Sequence, residues 1–426
     1  MLSEGYFSRR RANTFWYKAF QISFFVFILL GTVSTPAQAE FVKTPLYLLL
    51  KPGVSSENAP EDGYRAYLNT GDLWKWNGDD KGKLIQVTHW GFNAVPVLSP
   101  NGNDVAYQSM PQVAVDYLSS EASHVAGMVT SALPFNLWIL NTQTDEAKRI
   151  TEQSQSTHLD LVNADLVNGI TRSVPAWSAD SHNLVWIEAD SSAAMSGGDD
   201  DKFVPRLMSY DLATEQTEIM SNYLILPDYA SPQGGGTAIG DMVPQWGTAG
   251  IVIGYYGPDN QEIYAIYDLA GKLQQELKSE RHTFFPVYGW VNDGQQDYLG
   301  LRDMSGWSFY DTKTGKNKLF DGQIEGYSLL TPKGNALRVN ENGNWVLVDS
   351  KNHTQELTDC RFDEYPLSGI IALSPNGERA ACYQSAENLV SIYTEAGLLT
   401  QLLLDKNTLL GMSWASMGWR IVRSTS

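Results

Sequence analysis

The sequence predicts an all-β chain folded as a seven-bladed β-propeller, with six or eight blades as alternatives. Three observations predict it: a turn motif recurs seven times, two classes of β-prone hairpin alternate, and the chain opens on one class and closes on the other. The motif reads Ser99-Pro100-Asn101-Gly102, Ser178-Ala179-Asp180-Ser181, Gly247-Thr248-Ala249-Gly250 and Val291-Asn292-Asp293-Gly294. It continues as Thr331-Pro332-Lys333-Gly334, Ser374-Pro375-Asn376-Gly377 and Ala415-Ser416-Met417-Gly418. From fourth position to fourth position the spacings are 79, 69, 44, 40, 43 and 41 residues. The last four match one four-stranded blade of about 40–45 residues.

Apolar runs flank each motif. Val95-Pro96-Val97-Leu98 enters the first and Val105-Ala106-Tyr107 leaves it; Val174-Pro175-Ala176-Trp177 and Leu184-Val185-Trp186-Ile187 frame the second. Proline presets the turn and glycine takes its left-handed position, so these pairs are the inner strands A and B. A second class of run precedes short polar turns: Leu73-Trp74-Lys75-Trp76, Leu137-Trp138-Ile139-Leu140, Leu207-Met208-Ser209-Tyr210 and their later counterparts. These are strands C, followed by outer strands D such as Leu84-Ile85-Gln86-Val87-Thr88.

The chain opens on a CD pair and closes on an AB pair, Met412-Ser413-Trp414 through Trp419-Arg420-Ile421-Val422. One blade then combines both ends, which leaves no open sheet edge in the ring. Residues 40–71 read as an N-terminal extension and 72–426 as the propeller. Tyr47-Leu48-Leu49-Leu50 and Arg65-Ala66-Tyr67-Leu68 could form an extra pair and alter the closure.

Residues 1–39 read as a secretory signal peptide. Arg9, Arg10, Arg11 and Lys18 precede an apolar run from Phe20 to Val33, and Ala37-Gln38-Ala39 supplies a small-residue cleavage site before Glu40. The expected address is the periplasm, with no membrane insertion after cleavage. The whole chain carries 30 Lys+Arg against 48 Asp+Glu; losing residues 1–39 removes a net +3 and takes the charge from −18 to −21. A field of that sign repels nucleic acid. Cys360 and Cys382 are the two cysteines, placed by the blade pattern on an outer strand and on the second strand of the next blade. A disulfide there would staple neighbouring blades; two buried free thiols are the alternative.

The Ser-Pro-Asn-Gly hairpins, each followed by a strand, a turn and an outer strand ending Val87-Thr88 or Leu357-Thr358, resemble the TolB-type, WD-repeat-like propeller repeat. The resemblance covers roughly residues 72–426. It implies a periplasmic propeller, but TolB itself carries a sizeable α/β domain before its propeller, and about thirty residues stand in that place here. Prolyl oligopeptidase-type enzymes use similar repeats beside an α/β-hydrolase domain, whose Gly-x-Ser-x-Gly elbow this sequence lacks.

The two long spacings report insertions at 112–135, 152–173, 190–205 and 221–241. As B–C or D–A connections, all four project from one propeller face. Together they carry a net −9, with aromatic and aliphatic residues interspersed. Such loops read as a protein-docking surface, with Tyr117, Asp199, Asp200, Asp201, Tyr223 and Tyr229 as the candidate contacts. A self-packed lid is the bland alternative.

Catalytic chemistry has weaker support. Gly197-Gly198-Asp199-Asp200-Asp201 lacks the alternating spacing of a calcium loop. His89, His124, His158 and His282 fall on the long-loop face without close spacing; a metal site would have to bring them together with carboxylates. The tryptophans Trp138, Trp177, Trp186, Trp246, Trp307, Trp345 and Trp414 recur at strand positions, which suits blade packing. The expectation is therefore a monomeric, non-enzymatic module that docks a periplasmic or envelope protein, without cofactor or catalytic residues. The alternative is a metal-dependent lyase or hydrolase acting on polysaccharide or peptide at the central channel.

Overall fold

The computed structural model describes residues 45–414, apart from 54–67, 79–81, 121–133, 154–168, 191–204, 223, 225–238, 240–241, 257–260, 280–286, 293–296, 304–305, 319–327, 331–335, 341, 350–352, 362–370 and 375–376. The chain opens with β1 (Leu46–Pro52), β2 (Asp72–Trp76) and β3 (Leu84–Gln86). Sheet I follows: β4 (Asn93–Leu98), β5 (Asp104–Ser109), β6 (Asn136–Asn141) and β7 (Ala147–Arg149), with helix α1 (Gln112–Ser120) between β5 and β6. Sheet II holds β8 (Ile170–Arg172), β9 (Ala176–Trp177), β10 (Asn183–Asp190), β11 (Arg206–Asp211) and β12 (Gln216–Ser221). Sheet III holds β13 (Gln245–Gly247), β14 (Gly250–Tyr256), β15 (Glu262–Tyr267) and β16 (Leu273–Ser279). Sheet IV holds β17 (Val287–Asn292), β18 (Asp297–Asp303), β19 (Gly306–Asp311) and β20 (Lys316–Lys318). Sheet V holds β21 (Ser328–Leu330), β22 (Ala336–Val339), β23 (Asn344–Val348) and β24 (Thr354–Arg361). Sheet VI holds β25 (Ile371–Leu373), β26 (Arg379–Gln384), β27 (Leu389–Thr394) and β28 (Gly397–Leu403), and the last described strand is β29 (Asn407–Ser413).

The fold is an all-β propeller, and its described strands form seven antiparallel sheets. Apolar clusters weld neighbours face to face. Tyr47 and Leu73 pack on Leu98 and Val105; Leu137 of sheet I packs with Trp186 of sheet II; Ile187 of sheet II packs with Ile253 of sheet III. Tyr264 of sheet III meets Tyr288 of sheet IV edge-on at 5.5 Å, and Leu357 of sheet V packs with Tyr393 of sheet VI. Ile392 of sheet VI packs with Leu48 and Trp414, which returns the series to the first strand.

That last contact corrects the expected closure. The closing sheet runs β29-β1-β2-β3, so the C-terminal side supplies one strand and the N-terminal side three. β1 falls within the stretch read as an extension, yet it occupies the second-strand place that the sequence reading gave to Trp419–Val422, which lie outside the described residues. The reason is burial on both faces. Leu46, Leu48 and Leu50 point into the cluster with sheet VI, while Tyr47 and Leu49 point into the cluster with sheet I. A strand buried on both sides reads as an unbroken apolar run, here Leu46-Tyr47-Leu48-Leu49-Leu50. Lys75 of β2, itself buried, adds a cross-sheet ion pair to the exposed Asp145 in the β6–β7 turn, at 2.5 and 2.7 Å.

The recurrent turn has a common hydrogen-bond plan. The hydroxyls of Ser99, Ser178 and Ser374 accept from the backbone N–H five residues on, in Asp104, Asn183 and Arg379, at 3.0, 2.9 and 2.9 Å. The fourth position is left-handed in each: φ is 76° at Gly102, 64° at Ser181 and 72° at Gly377. The Ser181 hydroxyl also accepts from the Asn101 N–H at 3.0 Å, tying two neighbouring turns together. Strand A of sheet II is split into β8 and β9, both on β10, so the connection expected to run to residue 173 ends earlier. Pro175 lies in the gap, where its missing N–H costs nothing to the ladder. Among the described residues no helix is long and apolar enough to cross a membrane.

Candidate functional site

Strand topology makes 112–135 and 190–205 connections from B to C, and 152–173 and 221–241 connections from D to A, so all four are rooted on one face. Three of these roots converge on Arg172. It lies directly opposite Glu188 in the β8–β10 register and donates Nε to Glu188 Oε2 at 3.0 Å. Its Nη1 donates to the Phe135 carbonyl at 2.9 Å and to Asn136 Oδ1 at 3.3 Å; its Nη2 donates to the Glu152 carbonyl at 2.8 Å. Its own carbonyl accepts from Gln108 Nε2 at 3.0 Å, and Trp186 Nε1 donates to Glu188 Oε2 at 3.1 Å. Arg172 is 3% exposed. Burial pulls its guanidinium below its ordinary pKa, while the Glu188 carboxylate pulls it back up. The Arg172 side chain makes all its bonds through the rigid guanidinium fork, which is why arginine suits the position.

A buried carboxylate, Asp72, organises the link between the closing sheet and sheet I. Asp72 Oδ1 accepts from Thr88 Oγ1 at 3.0 Å, the Gly91 N–H at 2.8 Å and Asn93 Nδ2 at 3.2 Å. Thr88 Oγ1 also accepts from the Leu73 N–H at 2.8 Å, and Thr151 does the same for Leu137 at 2.8 Å. These threonines lie two residues beyond outer strands D, so the Val87-Thr88 ending of the repeat has a physical role: it satisfies the N–H of the second residue of strand C. The link so fixed carries Trp90, whose indole N–H donates to the Met110 carbonyl at 2.9 Å.

Between this link and sheet I lies a cavity of about 320 Å³. Its floor is two cross-strand rows on one face of sheet I. Asn93, Ser109 and Asn136 are register partners across β4, β5 and β6; Tyr107, Trp138 and Arg149 are register partners across β5, β6 and β7. The rows are two residues apart along each strand, so they share a face. Tyr107 and Trp138 stack at 6.4 Å with 24° between planes. Thr88, Trp90, Met110, Pro111 and Gln112 complete the lining. Arg149 pairs with Glu152 at the mouth. Burial pushes the Tyr107 phenol up, so it stays protonated at neutral pH. A second cavity, of about 620 Å³, lies between the outer parts of sheets I and II and is lined by Asp104, Glu146, Lys148 and Glu215.

Of the sequence-predicted contacts, Tyr117 falls on α1; Asp199, Asp200, Asp201, Tyr223 and Tyr229 lie outside the described residues. His89 is exposed beside Trp90, and His124, His158 and His282 lie outside the described residues. Among the described residues no group of three His, Cys, Asp or Glu side chains is placed to hold a metal ion. Cys360 of β24 and Cys382 of β26 are joined by a disulfide with Cα atoms 6.1 Å apart. Trp177, Trp186, Trp345 and Trp414 are buried in blade packing, as their strand positions imply. Trp138 is different, because it is half-buried and faces the cavity. Arg172 falls within the stretch 152–173 that the sequence reads as a connection, and nothing in the sequence singles out Trp90, Asn93, Ser109 or Asn136.

No family model and no curated protein matches the chain. Solved structures to which it is similar include TolB from Acinetobacter baumannii, at 14% identity and a TM-score of 0.38, covering 96% of this chain and 74% of that one. An oligogalacturonate lyase from Vibrio parahaemolyticus gives 12% identity and a TM-score of 0.44, covering 75% and 82%. The Swd1 β-propeller domain of Myceliophteria thermophila gives 11% identity and a TM-score of 0.38, covering 74% and 87%.

Proposed function

We propose that the chain is an exported, seven-bladed propeller of the periplasm that docks a partner protein of the envelope through the long-loop face of its first blades. The signal peptide is residues 1–39, and the working unit is a monomer without cofactor. The observation that carries this reading is Arg172: one buried guanidinium ties together the roots of the connections 112–135, 152–173 and 190–205. A rigid base under several long connections is the arrangement by which scaffolds present binding loops. The connections are acidic, with tyrosines among them, which suits a partner with a basic surface and apolar anchors. Tyr117, Asp199, Asp200, Asp201, Tyr223 and Tyr229 are the proposed contacts.

Site-specific photo-crosslinking tests it. A photoreactive residue at Tyr117 or Tyr229 is expected to trap one discrete envelope protein, and the same residue at Thr142, in a short turn of the opposite face, is expected to trap none. Equal trapping from both faces overturns the reading. Amino-terminal sequencing of the exported protein is expected to begin at Glu40.

A further inference from the structure

We infer that the cavity between the closing sheet and sheet I binds a neutral saccharide unit. The inference does not rest on the docking reading: the floor of the site is strand residues, and only Gln112, at the start of α1, belongs to a long connection. Its floor alternates two kinds of chemistry on one sheet face: an amide and hydroxyl row, Asn93-Ser109-Asn136, and a flat row, Tyr107-Trp138-Arg149. Sugar hydroxyls are donors and acceptors at once; Asn93 Nδ2 is engaged with Asp72 and Asn136 Oδ1 with Arg172, and the row's other amide and hydroxyl atoms still include both kinds of partner. The C–H face of a pyranose ring is apolar and packs on an aromatic plane, here the Trp138 indole that Tyr107 stacks and holds. The indole of Trp90 is fixed at the side by its bond to the Met110 carbonyl.

Charge selects the class of ligand. Among the described residues Arg149 is the one charged residue lining the cavity, and it is paired with Glu152. A carboxylated or phosphorylated ligand would have to compete with Glu152 for Arg149 and approach a chain of net negative charge, whereas a neutral sugar does neither. At about 320 Å³ the cavity lies at the small end of ligand sites, room for a terminal sugar unit rather than a long chain threaded through.

The test titrates the folded protein with maltotriose, cellotriose and triacetylchitotriose, with a uronic-acid trisaccharide as the charged arm, following tryptophan fluorescence and heat. At least one neutral trisaccharide is expected to bind, and to bind better than the charged one. Trp138→Leu is expected to weaken it about tenfold or more, and Arg149→Ala about threefold. Arg149 is exposed, so its variant keeps the test decisive if Trp138→Leu does not fold. No response to any neutral saccharide overturns the inference. So does tighter binding of the charged arm, or binding that folded variants leave unchanged.

Discussion

Arg172 and Glu188 face each other directly across two strands, 3.0 Å apart, and the arginine spends its other donors on the ends of two further chain segments. An ion pair whose arginine is this deeply buried gains less from its own attraction than from the lack of a better arrangement for that charge. Replacing Arg172 with methionine leaves the half-buried Glu188 without its cation and two carbonyls without their donors. It is expected to cost about 3–5 kcal/mol in urea unfolding. Arg172→Met with Glu188→Leu together is expected to cost less than Arg172→Met alone, because no charge is then stranded.

The recurrent turns depend on left-handed backbone at their fourth position. Gly377 has φ 72°, and alanine there is expected to cost about 1–2 kcal/mol, measured as a lowered denaturation midpoint. Ser181 takes the same conformation at φ 64° and its hydroxyl serves the next turn. Ser181→Gly is therefore expected to relieve strain but lose that bond, giving a change much smaller than Gly377→Ala.

Asp180 gives the turn of sheet II a pH dependence. The Ser178 hydroxyl and the His182 N–H hold its carboxylate below the ordinary 3.8. A depressed folded pKa contributes stability that is complete above the unfolded value and lost as pH falls through the folded one. The melting-temperature gap between the native protein and Asp180→Ala is expected to be constant from pH 7 to 5 and to shrink below about pH 4. A gap that stays constant or widens in acid would contradict the assignment.

The Cys360–Cys382 bridge joins sheets V and VI. Cys382→Ala is expected to lower stability by about 2–4 kcal/mol through the freed unfolded chain. Alkylation of the native protein without reductant is expected to label neither cysteine.

The repeat made most of the fold legible, because turns that need a left-handed residue and a serine five positions before a strand N–H write themselves into the sequence. Leu46–Pro52 escaped that signal: β1 begins with no turn motif before it, and only its pairing to β29 reveals its place. The cavity was harder still. Asn93, Ser109 and Asn136 lie up to 43 residues apart and meet through register alone, and Trp138 is spaced like the packing tryptophans. Arg172 looked like a loop charge because Pro175 hid the strand that ends on it.

The most direct measurement of the docking claim is paired cross-linking capture from envelope extract, using the native protein and a variant with residues 191–204 replaced by a short Gly/Ser turn. A discrete partner caught by the first and lost by the second, with both proteins equally stable, is the predicted result. The same proteins caught by both, or none by either, would contradict it.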